Sequence, residues 1–240
     1  EAGPGVRTDL IGQAVLGQIA QGAYAGYVSV PARVLALKPK TLSFSEAAVF
    51  PIGATAAWRT LFDNGGLTSG QRVLIQMAAA GMGLFAVQLA KWKGAQVIAT
   101  ASTPADRDFV RALGADIVVD DTATPVESVV QDVDLVIHGG GAATLSSSLA
   151  ILRRGGTLIS NAGLPSPAQL QERGVRAMTS GGVATVPLET LIRLVDEGHL
   201  KIPVKTFPLS EVQQAHAYAQ SGRARGRIVL RVAEEDPLMS

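Results

Sequence analysis

The chain has 240 residues, 47% hydrophobic and 17% charged, which is enough apolar material to bury one or two cores. Its 21 basic and 20 acidic side chains nearly cancel, and no basic run exceeds the pair in "LRRGG", so no electrostatic footprint for nucleic acid or an anionic membrane is present. Cysteine is absent, which excludes disulfides, thiolate nucleophiles and sulfur-based zinc sites within these residues.

His138, His199 and His216 are far apart in sequence and none forms a metal-ligating pair, so no metal is expected. The longest apolar runs, such as "GMGLFAVQLA", meet a lysine well before the ~20 residues a membrane span needs. No signal peptide is visible in a chain that begins at Glu1, and a cytoplasmic location is the default expectation.

In chain order, "QAVLGQI", "GAYAGYVSVP" and "RVLALKP" read as short strands separated by Gly and Pro, too little for a self-sufficient barrel. Tyr24 and Tyr27 of "GAYAGY" read as packing residues of that β-rich piece. "SFSEAAVFP" begins a helix with a serine N-cap and a glutamate in the first turn, resumed after Pro51 by "GATAAWRTLFDNGG".

From Arg72 onward, β-branched runs alternate with helical patterns. "VLIQM", "QVIATA", "DIVVD", "VDLVIH" and "TLISNAG" are the strands; "LFAVQLAKW", "ADRDFVRALG", "PVESVVQ" and "ATLSSSLAILRR" lie between them. Such alternation implies a parallel sheet covered on both faces. Gly94, Gly114 and Gly155 each follow a helical run, where a left-handed C-cap belongs. "LSEVQQAHAYAQSGRARGRIVLRV" reads as a helix, a turn and a closing strand that returns to the N-terminal β-rich piece.

The first strand of the alternating region ends in "MAAAGMG". The G-x-G-x-x-G frame of a dinucleotide-binding turn falls on Ala78, Ala80 and Gly83, so only the packing glycine stands in frame. The Ala80 methyl sits where backbone should approach a pyrophosphate, while Gly81 and the helix amides from Met82 can still receive an anion. Read without its context, the motif is also simply a tight strand-to-helix turn. At the second strand's tip, Ala101, Ser102 and Thr103 offer no acid to hold the ribose hydroxyls of NAD, and Arg107 stands near, so NADP(H) is the expected dinucleotide. Two readings stand for Arg107: a phosphate ligand, or a solvated helix residue balanced by Asp106 and Asp108.

With "GAYAGYVSVPARVLALKPKTLSFSEAAVFPIGATAAW", "GQRVLIQMAAAGMGLFAVQLAKWKGAQVIATAS", "RALGAD", "LRRGGTLIS" and "GRIVLRV" in one order and spacing, nearly the whole chain resembles the zinc-independent medium-chain dehydrogenase/reductase superfamily. Within it, the likeness is particularly to the NADPH-dependent quinone oxidoreductase and enoyl reductase branch. The resemblance implies an α/β fold, a Rossmann-type doubly wound parallel sheet inserted in a partial GroES-like β-rich lobe. It divides the chain into a catalytic-lobe part (1–50), a nucleotide-binding domain (51–200) and a C-terminal return to the catalytic lobe (201–240). It also implies that roughly a quarter of a usual chain lies upstream of "EAGPGV".

Carried over by position, the resemblance places Ala79, Ala80, Gly81 and Met82 at the pyrophosphate of NADPH and Ser102 and Arg107 at its adenosine phosphate. His138, Gly139, Asn161 and Ala162 fall nearer the nicotinamide. "ATAAW" stands where the family has "GLTAW", putting Ala56 in place of a threonine and leaving Thr55 to substitute for it. His138 replaces the aspartate of "DxVGG". The implied activity is hydride transfer to a quinone, enone or similar activated double bond of a small-molecule substrate, with the protein orienting two reactants and no catalytic acid assigned. The family's pairing of nucleotide lobes edge to edge implies a homodimer.

His138 has two readings, a proton donor to a developing enolate or quinol oxygen and a histidine that caps the strand end through backbone hydrogen bonds. The lack of a visible partner favours the second. Two other functions compete: a non-catalytic scaffold or interaction module with an eroded cofactor site, and a Rossmann-like methyltransferase. The latter is disfavoured because "QMAAAG" and "TAS" lack the acids such folds use to hold a ribose.

Overall fold

A computed structural model describes residues 1–3, 6 and 8–233. Residues 234–240 of the expected C-terminal return lie outside the described residues. The chain forms two compact units, Glu1–Gly53 with Pro187–Ser240, and Ala54–Val186.

In the first unit, β1 (Val15–Gly17) pairs antiparallel with β2 (Leu35–Leu37). The expected strand in "GAYAGYVSVP" is absent; the segment is irregular with one bend over residues 24–26, and Tyr24 and Tyr27 are exposed. Their expected packing role is corrected, because no described strand pairs with this segment to give the rings a surface to cover.

α1 (Phe44–Trp58) begins with a reciprocal cap. The Glu46 amide donates to Ser43 Oγ at 3.2 Å, and the Ser43 amide donates to Glu46 Oε2 at 2.9 Å. The helix does not stop and resume at Pro51 but passes through it, then widens into a π-helical segment over Arg59–Asn64.

The second unit is built on one six-stranded sheet. Its strands are β3 (Arg72–Ile75), β4 (Gln96–Thr100), β5 (Ile117–Val119), β6 (Val133–His138), β7 (Leu152–Ser160) and β8 (Arg176–Met178), in the order β5-β4-β3-β6-β7-β8 with every pairing parallel. The central strands are buried on both faces, which is why they read as continuous apolar runs. Leu74, Ile98, Val136 and Leu158 form one row of the core, packed against Leu149 and Ile151. α2 (Gly83–Trp92), α3 (Pro104–Ala112), α4 (Leu145–Ala150) and α5 (Pro167–Arg173) connect these strands.

Two local expectations are corrected. "PVESVVQ" makes only a short 3-10 turn at Val126–Ser128, with Pro125 directly before it. Gly155 is no C-cap: it lies inside β7 at φ +80, where the β6–β7 register shifts between Val133 and Leu135. A left-handed residue within a strand lets the extra residues Arg153 to Gly156 bulge out of the ladder. Gly94 and Gly114 do stand in left-handed backbone just after α2 and α3.

After β8 the chain enters α6 (Leu188–Asp196), β9 (Val204–Pro208), α7 (Val212–Gln220) and β10 (Arg227–Arg231). β10 pairs in parallel with β9 rather than with β1 or β2, within the compact unit that also contains those N-terminal strands.

Candidate functional site

The carboxyl ends of β4, β3, β6 and β7 lie side by side, the edge at which open α/β sheets bind ligands. Between β3 and α2 runs the turn Gln76–Met82. Its left-handed residues are Met77 (φ +53) and Gly81 (φ +59), so the bend does not fall on Ala78 and Ala80. Ala78 is fully buried, and Ala79, Ala80, Gly81 and Met82 are partly buried. Gly83 packs as its place in the frame suggests: a Cβ there would stand 2.7 Å from the Met77 carbonyl oxygen and 2.8 Å from Ala78 Cα. α2 starts without a side-chain cap; the Gly83 amide donates to the Ala80 carbonyl at 3.1 Å and the Phe85 amide to the Met82 carbonyl at 3.0 Å.

Gln76 was not singled out by sequence reasoning, yet it organises this edge. Its Oε1 accepts from the amides of Gly139 and Gly140, each at 3.1 Å, and its Nε2 donates to Ser148 Oγ at 3.2 Å. Ser148 Oγ in turn lies 2.9 Å from His138 Nδ1. His138 is buried and its Nε2 has no hydrogen-bond partner, so the ring is turned into the protein and the partner missed by sequence is a hydroxyl on α4. Burial pushes the imidazole below its ordinary pKa, opposed by the nearby backbone of Gly141 and Gly140. A neutral, enclosed ring is poorly suited to donate protons to a substrate. Gly139 itself is exposed at the β6 tip.

At the β7 tip, Asn161 and Ala162 are exposed. Asn161 Oδ1 accepts from the Ser180 amide at 3.0 Å, and the Ala162 amide donates to Ser160 Oγ at 3.2 Å. Ser180 belongs to a segment strapped to the π-helical residues. Thr60 Oγ1 lies 2.7 Å from Ser180 Oγ and 3.3 Å from Met82 Sδ, Arg59 Nη1 donates to the Gly182 carbonyl at 2.9 Å, and Asp63 accepts from both the amide and the hydroxyl of Thr185. Thr55, partly buried on α1, lies one turn before this segment. Nothing in the local sequence pattern of "WRTLFDN" marks Thr60 as a neighbour of Met82.

The β4 tip holds the largest departure from expectation. Ser102 is exposed and its hydroxyl donates to Asp121 Oδ1 at 3.0 Å. Arg107 is neither free nor balanced by its helix neighbours: Nη1 meets Asp120 Oδ2 at 2.5 Å and the Ser102 carbonyl at 3.3 Å. Asp108 pairs with Arg111, and Asp106 accepts from the Thr103 hydroxyl. The expectation that no acid stands at this tip is therefore corrected. Two consecutive acids reach it from the end of β5, the next strand in the sheet. Hydrogen bonds from the Thr122 hydroxyl, foremost, and from the Thr122 and Ala123 amides, with the charge of Arg107, hold the Asp120 carboxyl below its ordinary pKa despite the opposing effect of desolvation. Beside this cluster, a cavity of about 200 Å³ is lined by Gln76, Thr100, Asp121, Glu127, Gly140 and Thr144, among others.

Residues 113–230 match the family model described as zinc-binding dehydrogenase. A probable zinc-binding oxidoreductase, mitochondrial, from Arthroderma benhamiae is 32% identical over 219 residues, covering 82% of this chain and 65% of that protein. The NADPH-dependent alkenal/one oxidoreductase, chloroplastic, from Arabidopsis thaliana is 31% identical over 215 residues, covering 87% of this chain and 53% of its own length. This chain thus spans 53% to 65% of these curated relatives. The crystal structure of a 2-haloacrylate reductase matches with a TM-score of 0.83 at 30% identity, covering 97% of this chain and 81% of that one. Sequence order, sheet and relatives agree: the chain belongs to the medium-chain dehydrogenase/reductase superfamily, in its quinone oxidoreductase branch.

Proposed function

We propose that this protein is an NADPH-dependent oxidoreductase that transfers hydride to a quinone, enone or similar activated double bond. One structural observation carries the reading. The β3–α2 turn, the β4 tip, the β6 tip and the β7 tip converge on one edge of a parallel sheet, with the left-handed Gly81 in the turn that enters α2. Relatives whose names specify NADPH-dependent alkenal/one oxidation–reduction and 2-haloacrylate reduction support the substrate class.

The residues present fit a dinucleotide. The amides of Ala79 to Met82 would receive the pyrophosphate, Ser102 and Arg107 the 2′-phosphate, and the edge formed by Thr55, Gly139, Asn161 and Ala162 would face the nicotinamide, with His138 behind it. NADPH supplies the hydride, and the chain's own contribution is to hold and orient. Gln76 fixes the Gly139–Gly140 backbone, and the strap from Ser180 to Thr185 fixes the far side of the turn. No catalytic acid is assigned.

In the same reading, 1–50 belongs to the catalytic lobe, 51–200 to the nucleotide-binding domain and 201–240 to the return; the compact unit Ala54–Val186 supports the central part of that division. The enzyme is zinc-independent within these residues, on the ground that the sequence has no cysteine and no paired histidines. Edge-to-edge pairing of nucleotide lobes makes it a homodimer. Among the described residues no helix is long and apolar enough to cross a membrane. A cytoplasmic location rests on the sequence default alone, and two relatives carry the words mitochondrial and chloroplastic in their names.

The test is a thermal-shift and NADPH-fluorescence titration, followed by NADPH oxidation with an alkenal, a quinone and a saturated ketone of similar size. Binding with turnover of the conjugated acceptors is expected. Absence of NADPH binding, with a cooperatively folded protein, would return the scaffold reading.

A further inference from the structure

We propose that Asp120 sets the nucleotide selectivity of this crevice by competing with the 2′-phosphate for Arg107. The inference rests on the dinucleotide reading above and names a residue that reading does not use.

Four side chains meet at the β4 and β5 tips: Ser102, Arg107, Asp120 and Asp121. One cation faces two carboxylates, and the cation is already engaged. A 2′-phosphate bearing a charge of about −1.5 to −2 would have to displace Asp120 from Arg107 or share the guanidinium with it at close range. A cofactor with a free 2′-hydroxyl meets no such cost, and Asp121 can accept from a hydroxyl as it now accepts from Ser102. The preference for NADPH over NADH is therefore compressed, and Arg107 delivers little of its charge while Asp120 holds it.

The two oxygens of Asp120 do separate jobs. Oδ1 accepts from the Thr122 amide, the Thr122 hydroxyl and the Ala123 amide, closing the turn after β5, while Oδ2 alone meets Arg107. Asp120→Asn can keep the first job and lose the second, which frees Arg107 without opening the turn.

The experiment measures dissociation constants for NADPH, NADH, 2′,5′-ADP and 5′-AMP by calorimetry, with melting temperature as the fold control. The variants are Asp120→Asn, Arg107→Gln, the double variant, and Asp121→Asn as a charge-matched control. Asp120→Asn should tighten NADPH and 2′,5′-ADP about three- to tenfold and leave NADH and 5′-AMP within about twofold. Arg107→Gln alone should weaken NADPH less than about threefold, and in the double variant it should abolish the gain. Asp121→Asn should give a smaller gain that largely disappears in high salt, since it removes charge without releasing Arg107.

An unchanged NADPH-to-NADH ratio in folded Asp120→Asn, or an equal gain from Asp121→Asn, would overturn the proposal. So would a loss beyond about tenfold for NADPH in Arg107→Gln alone, which needs no information from the Asp120 variant. Failure of every variant to bind any dinucleotide would sink the function proposed above and this inference with it. Binding whose selectivity ignores Asp120 would sink this inference only.

Discussion

Met77 occupies left-handed backbone at φ +53 and is 68% exposed at the start of the β3–α2 turn. A side chain in this conformation costs ~1–2 kcal/mol, more than the ~0.5–1 kcal/mol of chain entropy that a glycine adds. Met77→Gly should therefore raise stability by roughly 0.5 kcal/mol. Ala80→Gly, at a residue without positive φ, should lower it by about the same amount. Thermal melts of the two variants locate the bend, and shifts of the same sign would contradict its placement at Met77.

His138 supplies a pH-dependent contribution. Its folded pKa is depressed, so the unfolded chain binds the proton more readily than the folded one. Stability from this group is fully present above the unfolded value near 6.5 and falls as pH drops through the lower folded value. Denaturant melts at pH 7 and pH 5 should show a loss that His138→Gln reduces. An equal loss in both proteins would place the effect in other groups.

Among the elements, the π-helical segment after α1 does what a regular helix end would not, since its wider turn brings Thr60 against both Met82 and Ser180. Thr60→Val keeps the shape and removes the hydroxyl, leaving Ser180 Oγ without that partner, at a cost of about 1–2 kcal/mol. Faster amide hydrogen exchange over Ser180–Thr185 in the variant than in the wild type, with β6 as the unchanged internal reference, is the expected signature. Unchanged exchange would show that Arg59 and Asp63 hold the strap by themselves. Helix starts were easier to read than this segment. Ser43 with Glu46 caps through a neighbour three residues away, a spacing visible in the sequence itself, whereas the Thr103 cap on Asp106 went unread. A π-helix is set by what it packs against, and no residue within Arg59–Asn64 announces it.

For the whole molecule, the alternation of β-branched runs with helical patterns was sufficient to determine a parallel α/β sheet. Strands buried on both faces must be apolar throughout, and parallel neighbours require crossover connections. The same reasoning put Ser102, Gly139 and Asn161 just past strand ends on one edge of the sheet, because strand tips can be identified once the strands are. Partners across the sheet were not legible. The placement of β5 beside β4 brings Asp120 to Arg107 and Asp121 to Ser102, and the adjacency of β3 and β6 brings Gln76 to Gly139 and Gly140. The packing of α4 beneath β6 gives His138 its hydroxyl. Local periodicity records which face of an element is buried, whereas the charge and hydrogen-bond partners of a site come from elements distant in the chain. Those were decided only when the strands took their order in the sheet.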